Sequence, residues 1–139
     1  MANISVIGSG SWGTALAWLL RNNGHQVTLW SFLKEETEMF QRHRENIDKL
    51  PGVVLDKEVV FTSSLEESVP GRDMLVLAVP SPAVRSTSRS LRPLIREGQL
   101  IVNVAKGIEE STLMTMTDII EEEIPGAEVA VLSGPSHAE

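Results

Sequence analysis

Three groups in this sequence have residue types and spacing suited to chemistry on a small anion. They are the glycines Gly8, Gly10 and Gly13, the pair Lys106-Gly107, and the turn Gly134-Pro135-Ser136-His137. A glycine turn that opens a helix presents unpaired backbone N–H groups and the positive end of the helix dipole to a phosphate. A lysine at the end of a buried strand needs a partner, and a substrate phosphate, hydroxyl or carbonyl would supply one. The Gly134-Pro135-Ser136 turn offers amides and a hydroxyl to a small polar substrate. His137 could donate a proton, although a histidine beside a turn more often makes surface hydrogen bonds.

These groups act together only if the fold brings them to one edge. Short apolar strands are predicted at residues 4–7, 26–30, 58–61, 74–79, 100–104 and 128–132. Between them, helices are predicted at 14–21, 34–44, 65–69, 82–96 and 111–124, the last with Ser111 as its N-cap. Strands alternating with helices, several of them unbroken apolar runs, specify an α/β fold. The expected architecture is a Rossmann-type doubly wound, mostly parallel sheet. In such sheets ligands gather outside the carboxyl ends of the strands, where all three groups fall.

Composition narrows the partners. Hydrophobic residues make up 42% of the 139 and charged residues 22%, an ordinary globular balance. A formal net charge of −7 opposes general binding to nucleic acid or anionic membranes, so an anionic ligand must be held by local groups. The absence of cysteine excludes disulfides, thiolate metal sites and cysteine nucleophiles. The N-terminus lacks the pattern of a secretory signal, and no apolar run approaches the about 18–20 residues of a membrane span, so the cytoplasm is expected. Glu121-Glu122-Glu123 reads as a solvated helix face and no metal site is expected, while His25 and His43 read as exposed residues near helix ends.

In its strand–turn–helix setting, the glycine motif reads as a dinucleotide cradle rather than a bare connection. Gly8 permits the turn, Gly10 leaves room for a pyrophosphate, and Gly13 lets helix and strand pack closely. The second strand ends at Trp30-Ser31-Phe32 without the acid that marks an NAD site. The nearest cations in sequence are Lys34, Arg42 and Arg44, so NADP or NAD stays open, the missing acid tilting toward NADP. Residues 78–85, AVPSPAVR, form either a stiff loop flanking the nicotinamide or ribose, or a simple turn.

The segments GSGSWGTALA, LPGV, AVPSPAVR, AKGIE and LSGPSHAE occur in one order across the chain. That series resembles the NAD(P)-dependent glycerol-3-phosphate dehydrogenases of the bacterial type. The resemblance implies reversible hydride transfer between sn-glycerol 3-phosphate and dihydroxyacetone phosphate, feeding glycerophospholipid synthesis. It implies cofactor contacts at Ser11, Trp12 and Ala138, substrate contacts at Gly134 and Ser136, and contact with both at Lys106. Phe32 is carried over as a cofactor contact. Two departures stand out: Ser31-Phe32-Leu33, where many members place arginine or histidine, and Lys49, where many have an aromatic residue.

The resemblance further implies that residues 1–139 are the NAD(P)-binding domain of a longer two-domain enzyme. The catalytic base would lie on a helical C-terminal domain absent from this chain, and a homodimer would form through that domain. The indole of Trp12 is expected to face the cleft where the nicotinamide meets it. The alternatives are another two-domain dehydrogenase of the ketopantoate reductase or 3-hydroxyacyl-CoA dehydrogenase type, or a nucleotide-sensing module without catalysis.

Overall fold

Residues 1–132 are described by a computed structural model. The apolar runs become six strands: β1 (Asn3–Ile7), β2 (Gln26–Trp30), β3 (Val60–Thr62), β4 (Met74–Leu77), β5 (Leu100–Asn103) and β6 (Glu128–Val131). They pair in the order β3-β2-β1-β4-β5-β6, every pair parallel. The sheet expected to be mostly parallel is therefore wholly parallel across the described strands.

Strand side chains alternate between faces, and each face buries its own core. Ile4, Val6, Val27, Leu29 and Val76 pack with Leu16 and Ala17 of α1 (Ser11–Asn22) and Phe40 of α2 (Lys34–His43). Ile7, Trp30, Leu75, Leu77 and Ile101 pack with Val84 and Leu91 of α4 (Val84–Leu91) and Ile119 and Ile120 of α5 (Met116–Glu123). The short α3 (Leu65–Ser68) carries the chain from edge strand β3 to β4, which lies beside β1. Strand order thus reverses between β1 and β4, and the crevice of a doubly wound sheet opens at their carboxyl ends.

The long connection after α2 is tied down by Arg44. In the left-handed conformation with φ 58°, it ends α2 and donates to the carbonyls of Leu55 and Val59 at 3.4 and 2.8 Å. Its guanidinium lies 4.6 Å from the centroid of Phe61, which stacks on Phe40.

Three local expectations are corrected. Helix α5 begins at Met116, capped by Thr115 instead of Ser111. Residues 109–114 are occupied by a tight turn in which the Glu109 amide donates to the Met114 carbonyl at 2.8 Å and Leu113 takes φ 62°. The helix expected over 82–96 is α4 flanked by single 3₁₀ turns at Ser81–Ala83 and Arg92–Leu94, because Pro93 cannot donate the next helical bond. His25 is half-buried: its Nδ1 accepts the Ala2 amide at 3.0 Å, tying the turn before β2 to the chain start.

Thr115 and Asp118 form a reciprocal capping box, with side chain-to-amide distances of 3.1 and 3.2 Å. Thr115→Ala should lower stability by about 1 kcal/mol in urea denaturation, the usual contribution of an N-cap. An unchanged midpoint would show that packing of Ile119 and Ile120 alone sets the start of α5.

Candidate functional site

The glycine turn is dictated by close approach. A Cβ on Gly13 would lie 1.9 Å from the Gly8 carbonyl oxygen, and one on Gly8, itself at φ 123°, 2.5 Å from the Ala78 carbonyl oxygen. Backbone therefore packs on backbone where β1, α1 and the end of β4 meet, and no side chain fits. Gly10 differs: a Cβ there would meet nothing within 4 Å, because it faces open space. Gly10 is also the N-cap of α1, with no side-chain cap and no acidic residue in the first turn. The amides of that turn are left to an outside acceptor, which fits the phosphate groups of a dinucleotide.

That space is a cleft of about 800 Å³ along the carboxyl ends of the strands. Gly8, Gly10, Ser11 and Trp12 border its middle, Phe32 and Leu33 one end, and Pro80, Ala105 and Lys106 the other. Its size suits a cofactor. Trp12 is 57% exposed and lines the cleft, so it is not a core residue. Phe32 is exposed and meets Trp30 edge-on at 6.3 Å. Gly13 sits beneath the floor. The expected positions Gly134, Ser136 and Ala138, with His137, lie outside the described residues.

Two networks hold the ends of the cleft. At the first, Ser9 Oγ donates to Glu36 Oε1 at 2.7 Å, and the Ser9 carbonyl accepts Asn46 Nδ2 at 2.8 Å and Thr14 Oγ1 at 3.0 Å. Glu36 Oε2 pairs with Lys49 Nζ at 3.8 Å, and both residues border the cleft. Glu36 was missed by the sequence reasoning, which looked for an acid at residue 31 and for cations at Lys34, Arg42 and Arg44. The substitution of an aromatic by Lys49 was visible, but nothing local placed it opposite Glu36. The sequence cations fall elsewhere: Arg44 holds backbone carbonyls, Arg42 lies away from the cleft among the acids of α2, and Lys34 does not line it.

The second network sets the loop carrying Lys106. Buried Asn103 ends β5, its Oδ1 accepting the Ala105 amide at 2.9 Å and its Nδ2 donating to the Ala105 carbonyl at 3.1 Å. Gly107 at φ 115° then turns the chain. Beyond it, Arg85 grips Glu109 with two bonds of 2.8 Å and reaches Glu122 and Glu123 as well. Arg89 adds a 3.1 Å contact to Glu123. This corrects the reading of 121–123 as a purely solvated face, because Glu123 is buried and ion-paired. Both carboxylate oxygens of Glu109 are held by Arg85.

Comparison with known proteins places the fold. A family model described as the NAD-dependent glycerol-3-phosphate dehydrogenase N-terminus matches residues 3–139. The chain belongs to this family. The glycerol-3-phosphate dehydrogenase, NAD(P)+, of Fusobacterium nucleatum is 58% identical over 141 residues, covering 100% of this chain and 42% of that protein. The corresponding protein of Agathobacter rectalis is 55% identical over 139 residues, covering 100% of this chain and 41% of its own length. The crystal structure of glycerol-3-phosphate dehydrogenase from Coxiella burnetii superposes with a TM-score of 0.91 at 29% identity. It covers 98% of this chain and 42% of the Coxiella chain. This chain thus spans about two fifths of the curated relatives it matches.

The Arg85 cluster gives the family domain a pH signature. The Glu109 carboxyl is pulled down to about 2 from 4.5, first by its bonds to Arg85 and then by the Thr112 hydroxyl. Glu123 is lowered in the same direction, chiefly by Arg85. A carboxylate lowered on folding stabilises the native state above its unfolded value and ceases to as pH falls through its folded value. Stability should therefore fall between pH 4.5 and about 2, and Glu109→Gln should flatten that limb in pH-dependent thermal melts. An identical acid limb in the variant would remove Glu109 as its source.

Proposed function

We propose that this chain is the NAD(P)-binding domain of an enzyme that interconverts sn-glycerol 3-phosphate and dihydroxyacetone phosphate. The observation that carries this reading is the uncapped N-terminus of α1 opening onto a cleft of about 800 Å³, with Lys106 at its far rim. The bound nicotinamide cofactor supplies or accepts the hydride. The amides of Ser11 and Trp12, beside Gly10, hold its pyrophosphate, and Phe32 and Leu33 flank the adenine.

Trp12, Pro80 and Ala105, which line the cleft, would border its nicotinamide end. The Lys106 ammonium, projected by the Asn103 turn, attracts the substrate's phosphate or polarised oxygen and touches the cofactor. Gly134 and Ser136 complete the substrate contacts and Ala138 the cofactor contacts. Proton transfer at the carbinol oxygen falls to a base contributed from the part of the relatives' length beyond this chain. A homodimer formed through that part, a cytoplasmic location and a role in glycerophospholipid supply belong to the same reading.

The test is isothermal titration of the 139-residue chain with NADH and NADPH, and an assay for their oxidation by dihydroxyacetone phosphate. Binding without turnover is expected. Trp12→Ala should weaken binding roughly tenfold, by loss of aromatic contact, with an unchanged melting temperature. No binding of either nucleotide would overturn the reading, and steady-state turnover would place the base within this chain.

A further inference from the structure

Dinucleotide sites commonly choose between NAD and NADP at the tip of the second strand, where an acid accepts the ribose hydroxyls. This chain has Ser31 there, 1% exposed, so the tip itself makes no charged contact with a ribose. Charge arrives instead from two later segments, both anchored on Ser9 inside the glycine turn. Glu36, from the first turn of α2, is bonded to the Ser9 hydroxyl at 2.7 Å. Lys49 comes from a turn whose geometry is set by Asn46. That buried side chain bonds the Ser9 carbonyl at 2.8 Å and accepts the Lys49 amide at 3.0 Å, while its carbonyl accepts the Leu50 amide at 2.9 Å. Both charged residues border the β2 end of the cleft beside Phe32 and Leu33, 3.8 Å from each other.

Resting on the cofactor reading above, we infer that the Glu36–Lys49 pair sets the balance between the ribose hydroxyl of NADH and the 2′-phosphate of NADPH. The two charges pull in opposite directions. A carboxylate accepts hydrogen bonds from the vicinal hydroxyls and repels a phosphate, and an ammonium does the reverse. Opposed at 3.8 Å, each offsets the other's field, so neither cofactor is rejected. The pair replaces the single residue of the usual arrangement with a balance. Among the described residues, Lys49 and Lys106 are the cations lining the cleft, and Lys106 stands at the opposite end.

The experiment is isothermal titration of the wild-type chain, Glu36→Gln, Lys49→Gln and the control Lys34→Gln with NADH and NADPH at low salt. Glutamine at position 36 keeps an oxygen acceptor for Ser9, and Lys49 has its side chain 54% exposed, so both variants should keep the wild-type melting temperature. Wild type should bind the two cofactors within roughly tenfold of each other. Glu36→Gln should move the ratio toward NADPH, and Lys49→Gln toward NADH, each by roughly tenfold, as expected for a charge-assisted hydrogen bond. Lys34→Gln should leave the ratio unchanged. A wild type that binds both nucleotides while either pair variant keeps the wild-type ratio overturns this inference alone. A wild type that binds neither overturns the cofactor reading and this inference with it.

Discussion

The approach of Gly13 to the carbonyl of Gly8 is the constraint on which the rest depends. A single methyl group at position 13 would sit 1.9 Å from that oxygen, so α1 can lie where it does only on a bare backbone. The same crowding repeats one layer down, where Gly8 rests on the Ala78 carbonyl at the end of β4. The two contacts fix the axis of α1 relative to the middle of the sheet. They thereby fix where its uncapped amides point, at the place where strand order reverses. A preorganised row of donors needs no rearrangement when an anion arrives, so the strain of forming it is met in folding rather than in binding.

Rigidity at the centre would be of little use if the ends of the cleft moved independently. Each end is held by a buried amide side chain that turns the backbone and by an ionic contact beyond it. Asn46 and the Glu36–Lys49 pair do this on the β2 side; Asn103 and the Arg85 cluster do it on the β5 side. The buried asparagines spend donors and acceptors on backbone groups that strand ends would otherwise leave unpaired. The arginine cluster has a further effect. It ties α4, α5 and residue 109 together and so anchors the turn after Lys106.

The strands and their order of appearance were legible because burial on both faces demands continuous apolar runs, and only a parallel sheet does that repeatedly. The glycine turn was legible for a different reason: the Gly8–Gly13 spacing encodes a contact between residues close in sequence. What stayed hidden was long-range pairing. Nothing near Glu123 announces Arg85, 38 residues away, and a run of three glutamates looks the same solvated or paired. Ser111 and Thr115 are both competent N-caps, and the choice between them was made by the turn at 109–114, a tertiary feature. Glu36 and Lys49 likewise become a pair only once Asn46 folds its loop back on Ser9.

Trp12 shows how far a motif's steric demand extends. Close backbone packing requires the absence of a side chain at Gly8 and Gly13, and phosphate access requires it at Gly10; position 12 bears neither demand. In the first turn of α1, the residue directly before Gly13 points away from the strand that Gly13 must touch, because adjacent helical positions are about 100° apart. The indole therefore stands on the cleft side, more than half exposed, with its amide in the uncapped first turn of α1. One residue thus sets both a first-turn amide of α1 and an exposed aromatic surface at the cleft. A large aromatic side chain left exposed at such a point offers a face on which a flat ring can stack.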